Sequence, residues 1–76
     1  MDKKHKIKEL KEMIQIVLLR IPREIEAKEF YLTAANKTSS EMAKGLFHNL
    51  AEQEKGHEAE LRRILSHLQG ELKALT

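Results

Sequence analysis

The chain has 76 residues with no cysteine, no tryptophan, three glycines and one proline, which excludes a disulfide framework, a thiolate metal or iron–sulfur site and a cysteine nucleophile. Fourteen basic against twelve acidic residues leave a net charge of +2. These charges are interspersed, and with only one tyrosine and two phenylalanines beside them a nucleic-acid surface has little support. The longest uninterrupted apolar run, Ile16 to Leu19, is far below the ~20 residues that span a bilayer and too short for a signal-peptide core, so a soluble, cytoplasmic protein without a membrane span is expected.

A first helix is predicted from about residue 4 to 36. Ile7, Leu10, Ile14, Val17 and Ile21 recur at steps of three and four, the stripe of an amphipathic helix. Met13, Leu18, Ile25 and Leu32 widen it, and Ala27, Tyr31 and Ala35 continue it. Pro22 removes a backbone donor and crowds the carbonyl of Leu18, but no good N-cap precedes it, so one long kinked helix is favoured over two. Asn36 to Ser40 is the single cluster of turn formers, with the turn placed at 37–39. Thr38 and Glu41 read as a T-x-x-E capping box that opens the second helix, predicted over about 39–69. Its stripe is Ala43, Phe47, Leu50, Leu61, Ile64 and Leu68, flanked by Leu46 and Leu65. Gly70 reads as a capping glycine that leaves 71–76 frayed or continuing.

The expected fold is all-α, an antiparallel helical hairpin forming a single domain over 1–76. Single cores below about 80 residues are marginal without a metal or a partner. Each helix also carries a wider apolar face than one neighbour covers, so two hairpins are expected to pair into a four-helix bundle, completing the fold by homodimerisation.

Three polar residues fall where the stripes call for leucine. In the second helix the steps Leu50, Glu54, His57, Leu61 place Glu54 and His57 inward, and in the first the steps Ile21, Glu24, Ala27 do the same for Glu24. Glu24 lies 14 residues before Thr38 and Glu54 lies 16 after it, roughly 21 Å and 24 Å from the turn, so the two carboxylates face each other across the hairpin. E-x-x-H spacing alone is weak, since this composition yields about 0.6 such matches by chance. Phase and depth carry more weight, because buried glutamates are rare unless paired or metal-bound. A two-fold dimer gathers four carboxylates and two imidazoles. No buried lysine or arginine compensates them, and Lys28, the nearest, is expected to reach solvent. Two divalent cations cancel the charge, and carboxylate with imidazole suits iron, with manganese as the alternative, better than structural zinc.

The segment Glu24–Ile25–Glu26–Ala27–Lys28–Glu29–Phe30–Tyr31 resembles the E-x-x-A-x-x-x-Y pattern of the first bundle helix of rubrerythrins. Leu50–Ala51–Glu52–Gln53–Glu54–Lys55–Gly56–His57 resembles their second helix, which carries E-x-x-H. The separation of 30 residues between Glu24 and Glu54 is similar to that of ferritin-like chains. Rubrerythrins and bacterioferritins carry the unit twice, whereas here it stands once, as in the two-helix encapsulated ferritins. That resemblance implies a diiron centre of ferroxidase type at a two-fold interface, with two irons per dimer, in a homodimer or a higher, ring-like assembly. It implies Glu24 as a terminal ligand, Glu54 as a bridging ligand, His57 as the nitrogen ligand and Tyr31 as a hydrogen-bonding partner of the ligands. The chain lacks the cysteine-rich module that supplies electrons in rubrerythrins, so an electron donor is unidentified. Its tail, Leu72 to Thr76, does not resemble an encapsulin-targeting peptide, so location inside a protein compartment is not indicated.

The expected function is therefore that of a non-haem diiron protein, a ferroxidase or an oxidoreductase that reduces dioxygen or peroxide. The competing reading is a metal-free hairpin serving as a dimerisation or adaptor module, in which buried Glu–His pairs set register. On that reading Tyr31 is a core residue with its hydroxyl near an edge. His5, His48 and His67 fall off the seam and read as surface residues. The run Lys3, Lys4, Lys6, Lys8 reads as a solvated end, with contact to an acidic partner or a membrane as the alternative.

Overall fold

The computed structural model describes residues 2–76. Two helices, α1 over Lys3–Lys37 and α2 over Glu41–Leu75, each of 35 residues, pack against each other as an antiparallel hairpin measuring 58 × 15 × 14 Å. The expected all-α hairpin is the observed fold. Neither helix is long and apolar enough to cross a membrane.

Each end of the hairpin is closed by local hydrogen bonds. Asp2 caps α1, its carboxylate accepting from the Lys4 N–H at 3.1 Å. At the turn the Thr38 N–H donates to the Ala34 carbonyl at 3.1 Å, closing α1. The Thr38 hydroxyl then accepts from the Ser40 N–H at 3.1 Å, and the Ser40 hydroxyl accepts from the Ala43 N–H at 3.2 Å. The N-cap of α2 is thus Ser40 rather than Thr38, and the turn is 38–40 rather than 37–39. The reason is that Thr38 is already engaged at the end of α1, so its hydroxyl serves the turn. Glu41 becomes the first residue of α2, where its charge suits the positive end of the helix dipole.

Gly70 does not end α2. The helix runs through it to Leu75, and no glycine has a positive φ. Leu72 and Leu75 are half-buried and continue the apolar seam, and that packing outweighs the ~1 kcal/mol a mid-helix glycine costs. Pro22 likewise lies inside an unbroken α1, on its exposed side.

The buried apolar residues are Leu10, Ile14, Val17, Ile21, Ala35 and Ala51. Most of this core comes from α1, and Ala51 is the one buried residue of α2. The centre of the α2 seam therefore passes through Ala51, Glu54, Glu58, Leu61 and Leu65, rotated from the line expected from the sequence, and Ile64 is left exposed on the flank. Near the turn Tyr31 stacks on Phe47 with ring centroids 6.5 Å apart. Met13, Ile16, Leu18, Leu19, Phe30, Leu32, Met42 and Leu46 are also exposed, a large apolar surface for so thin a molecule.

The cap assignment has a direct consequence for stability. Ser40→Ala removes the acceptor of the Ala43 N–H and is expected to lower unfolding stability by about 1 kcal/mol. Urea titration of this variant beside Glu41→Gln, expected to cost only a few tenths, checks which residue starts α2.

Candidate metal centre

Glu24 lies on the buried line of α1, three residues after Ile21. Its side chain is only 7% exposed. Across the hairpin, three residues after Ala51, Glu54 reaches the same depth with a side chain 18% exposed. His57 follows one turn later. Its Nδ1 is 3.7 Å from Glu24 Oε2 and 3.7 Å from Glu54 Oε2. One donor atom from each of the three residues falls in a group whose members all lie within 4.8 Å of one another. The matched depths expected for the two glutamates are realised.

His57 differs from expectation in its environment. Its side chain is 60% exposed, at the edge of the seam rather than in it, because the α2 face buried against α1 centres on Ala51 and Glu54. The group consequently opens sideways. A cleft of about 200 Å³ is lined by Arg20, Glu24, His57, Glu60, Leu61 and Ile64.

Among the described residues no buried lysine or arginine compensates the carboxylates, as expected, but an exposed arginine does. Arg20 donates from Nε to Glu24 Oε1 at 2.7 Å, although the arginine side chain itself is 56% exposed. Lys28 does reach the surface in part, but it bridges the helices, with Nζ 4.0 Å from Glu58 Oε1, while Arg62 Nε is 2.9 Å from Glu58 Oε2. The spacings Arg20–Glu24 and Glu58–Arg62 are i,i+4 and were visible in the sequence. The pairing of Lys28 with Glu58 needed the tertiary packing.

The two carboxylates face each other, and their pKa values move in opposite directions. Interaction with the Glu54 carboxyl is the main reason Glu24 is held below the ordinary carboxylate value, with Arg20 and His57 adding to it against the effect of burial. The same interaction with Glu24, then burial and the charge of Glu24, push Glu54 up, with His57 opposing. The fold thus favours the charged form of Glu24 and the protonated form of Glu54.

Two carboxylates and one imidazole with no thiolate form a donor set for iron or manganese, and the side cleft leaves their outer face accessible. The family model described as Rubrerythrin matches residues 2–76. The chain belongs to the rubrerythrin family. No curated protein and no solved structure matches it. Family membership and the grouping of Glu24, Glu54 and His57 together make this a rubrerythrin-type diiron protein. Tyr31, two turns beyond Glu24, is half-buried between Phe30, 5.7 Å away edge-on, and Phe47.

The split titration sets a pH dependence for protein stripped by chelation. Glu54 favours its protonated form in the fold, so its stabilising contribution is complete below the ordinary value of 4.5 and is lost as pH rises through its raised value. Glu24 contributes above that ordinary value and loses its contribution as pH falls through its lowered one. Glu54→Gln keeps a donor toward Glu24 and cannot ionise. Urea unfolding across pH 4 to 8 is expected to show the variant gaining on the parent chain as pH rises above about 4.5. A constant difference would contradict this assignment of the proton.

Proposed function

We propose that two copies of this chain pair along the open side of the hairpin and enclose a dinuclear non-haem iron centre, which acts as a ferroxidase or as a reductase of dioxygen or peroxide. The observation that carries the reading is the convergence of Glu24, Glu54 and His57 on one another, with Glu24 and His57 lining a cleft beside an apolar flank. Adjoining that cleft, Ile16, Val17, Leu19, Arg20, Arg23 and Leu61 line a second groove of about 330 Å³. Leu19 is 71% exposed, and Ile16 and Ile64 are also open to solvent. A second copy laid on this flank buries those side chains and supplies the mirror set of donors.

In this reading Glu24 would serve as a terminal carboxylate ligand, Glu54 as the carboxylate ligand shared between the ions and His57 as the nitrogen ligand. Bound iron would supply one-electron redox chemistry toward oxygen or peroxide. The chain's own residues prepare the site for it. Glu54, whose protonated form the fold favours, would lose that proton on binding a cation. His57 would bind through an imidazole nitrogen, its side chain being accessible from the cleft. Tyr31, stacked on Phe47, would be a hydrogen-bonding partner of the ligands. Manganese fits the same donors and is the competing ion.

A second reading draws on the ion pairs. Arg20–Glu24 and Lys28–Glu58 supply compensating charge from the chain itself, as they would in a metal-free dimerisation or adaptor module whose buried polar groups fix register.

Two measurements separate these readings. Anaerobic titration with Fe²⁺ is expected to saturate near two ions per dimer, with an oxo-bridged charge-transfer band appearing after oxygen is admitted. Glu54→Ala and His57→Ala are expected to weaken binding at least tenfold each, whereas in the metal-free module they leave it unchanged. Leu19→Glu places a charge on the proposed interface. Sedimentation should then report a monomer with helix content retained and iron binding weakened, and a dimer unaffected by the substitution would rule out this flank as the contact.

A further inference from the structure

The negative charge of Glu24 already has a cation on it. Arg20, one turn earlier on α1, donates to Glu24 Oε1 at 2.7 Å, while Glu24 Oε2 faces His57. The guanidinium is largely in solvent and the carboxylate is not, so Arg20 covers Glu24 from the open side. The cleft that Arg20 lines is bounded on α2 by His57 and, three residues on, by the exposed carboxylate of Glu60. Two glutamates thus border the space around one guanidinium, one buried and offering a metal-ligand atom, the other at the rim.

A metal ion approaching Glu24 through this cleft meets like charge on the same carboxylate. A guanidinium on one oxygen and a divalent ion on the other hold two cations close together on a single carboxylate, and their repulsion weakens both contacts. Partly exposed i,i+4 ion pairs are weak, so the guanidinium can leave Glu24 readily, and a carboxylate on the opposite wall keeps it partnered when it does. We propose that Arg20 is a resident counter-cation of Glu24 which an incoming metal ion displaces, and that Glu60 receives the guanidinium on its release. This rests on the assignment of Glu24, Glu54 and His57 as metal ligands. It makes Arg20 a positioning residue that holds Glu24 until metal arrives and sets the threshold for loading.

The test is a double-mutant cycle on Mn²⁺ affinity in the full-length protein, stripped by chelation and followed by electron paramagnetic resonance of the free ion. Arg20→Gln is expected to tighten Mn²⁺ binding roughly threefold to tenfold. Glu60→Gln is expected to weaken it by a similar factor in the parent chain and to have no effect in the Arg20→Gln background. If Glu60 acted only through its charge on the ion, its effect would persist without Arg20, and its role as receiver would be overturned. Unchanged or weaker binding in Arg20→Gln would overturn the displacement itself. Arg20→Lys, which keeps the charge and loses the planar Nε donor, is expected to fall between the two. It supplies the same comparison if circular dichroism shows Arg20→Gln to be unfolded. Should Mn²⁺ not bind the parent chain, or bind independently of Glu54→Ala and His57→Ala, the ligand assignment fails and this proposal with it. Should those variants lose binding while Arg20→Gln and Arg20→Lys leave it unchanged, only the proposal about Arg20 fails.

Discussion

A carboxylate held almost out of solvent between two helices is the constraint around which this molecule is arranged. Glu24 occupies a position that every periodic consideration assigns to an apolar residue, and an isolated charge there would be costly. Three groups reduce that cost. Glu54, whose protonated form the fold favours, faces Glu24 across the hairpin, Arg20 supplies a positive charge from the solvent side, and His57 stands 3.7 Å from both acids. None of the three is itself deeply buried, so the compensation is adjustable. On the proposed reading, a divalent cation would take the place of the proton and the arginine together, while Leu10, Ile14, Val17 and Ile21 form the apolar seam on one side of the site.

The register of the two helices follows from the same pair. Glu24 and Glu54 meet because the turn is short and both helices are continuous over many residues on either side of it. Thr38 ends α1 and Ser40 starts α2 with a single residue between them, and the hydroxyl of each is used in the turn. Pro22, two residues before Glu24, does not interrupt α1 and so does not disturb the match in depth. Stacking of Tyr31 on Phe47 holds the helices together between the acids and the turn, and the Lys28–Glu58 contact crosses the seam beside the acids, from the turn side of Glu24 to the far side of Glu54.

The hairpin is strongly asymmetric around its axis. Its core is a single line of side chains, and the apolar groups that two helices cannot cover are distributed on their flanks. On the side where Ile16, Leu19 and Ile64 are exposed, His57 and the outer face of Glu24 are also accessible. In the proposed dimer, this coincidence of a partly open donor set with an uncovered apolar flank would link assembly to metal binding.

Much of this was legible from residue order. The two helices, their antiparallel pairing, the short turn, the continuity through Pro22 and the equal depth of Glu24 and Glu54 all follow from periodicity and from a fixed rise per residue, which are properties of one helix at a time. The grouping of Glu24, Glu54 and His57 was legible for the same reason. The cap at Ser40, the continuation through Gly70, the outward turn of His57 and Ile64 and the burial of Ala51 were not. Neither was the compensation of Glu24 by Arg20 or of Lys28 by Glu58, although one of those spacings was in plain sight. Sequence alone thus determined which residues lie along each seam and how far from the turn they sit. Only the tertiary structure decided how each helix is rotated about its own axis against the other, because that angle is set by the volumes of facing side chains such as Ala35 and Ala51, and with it which polar groups share the interior and which open to solvent.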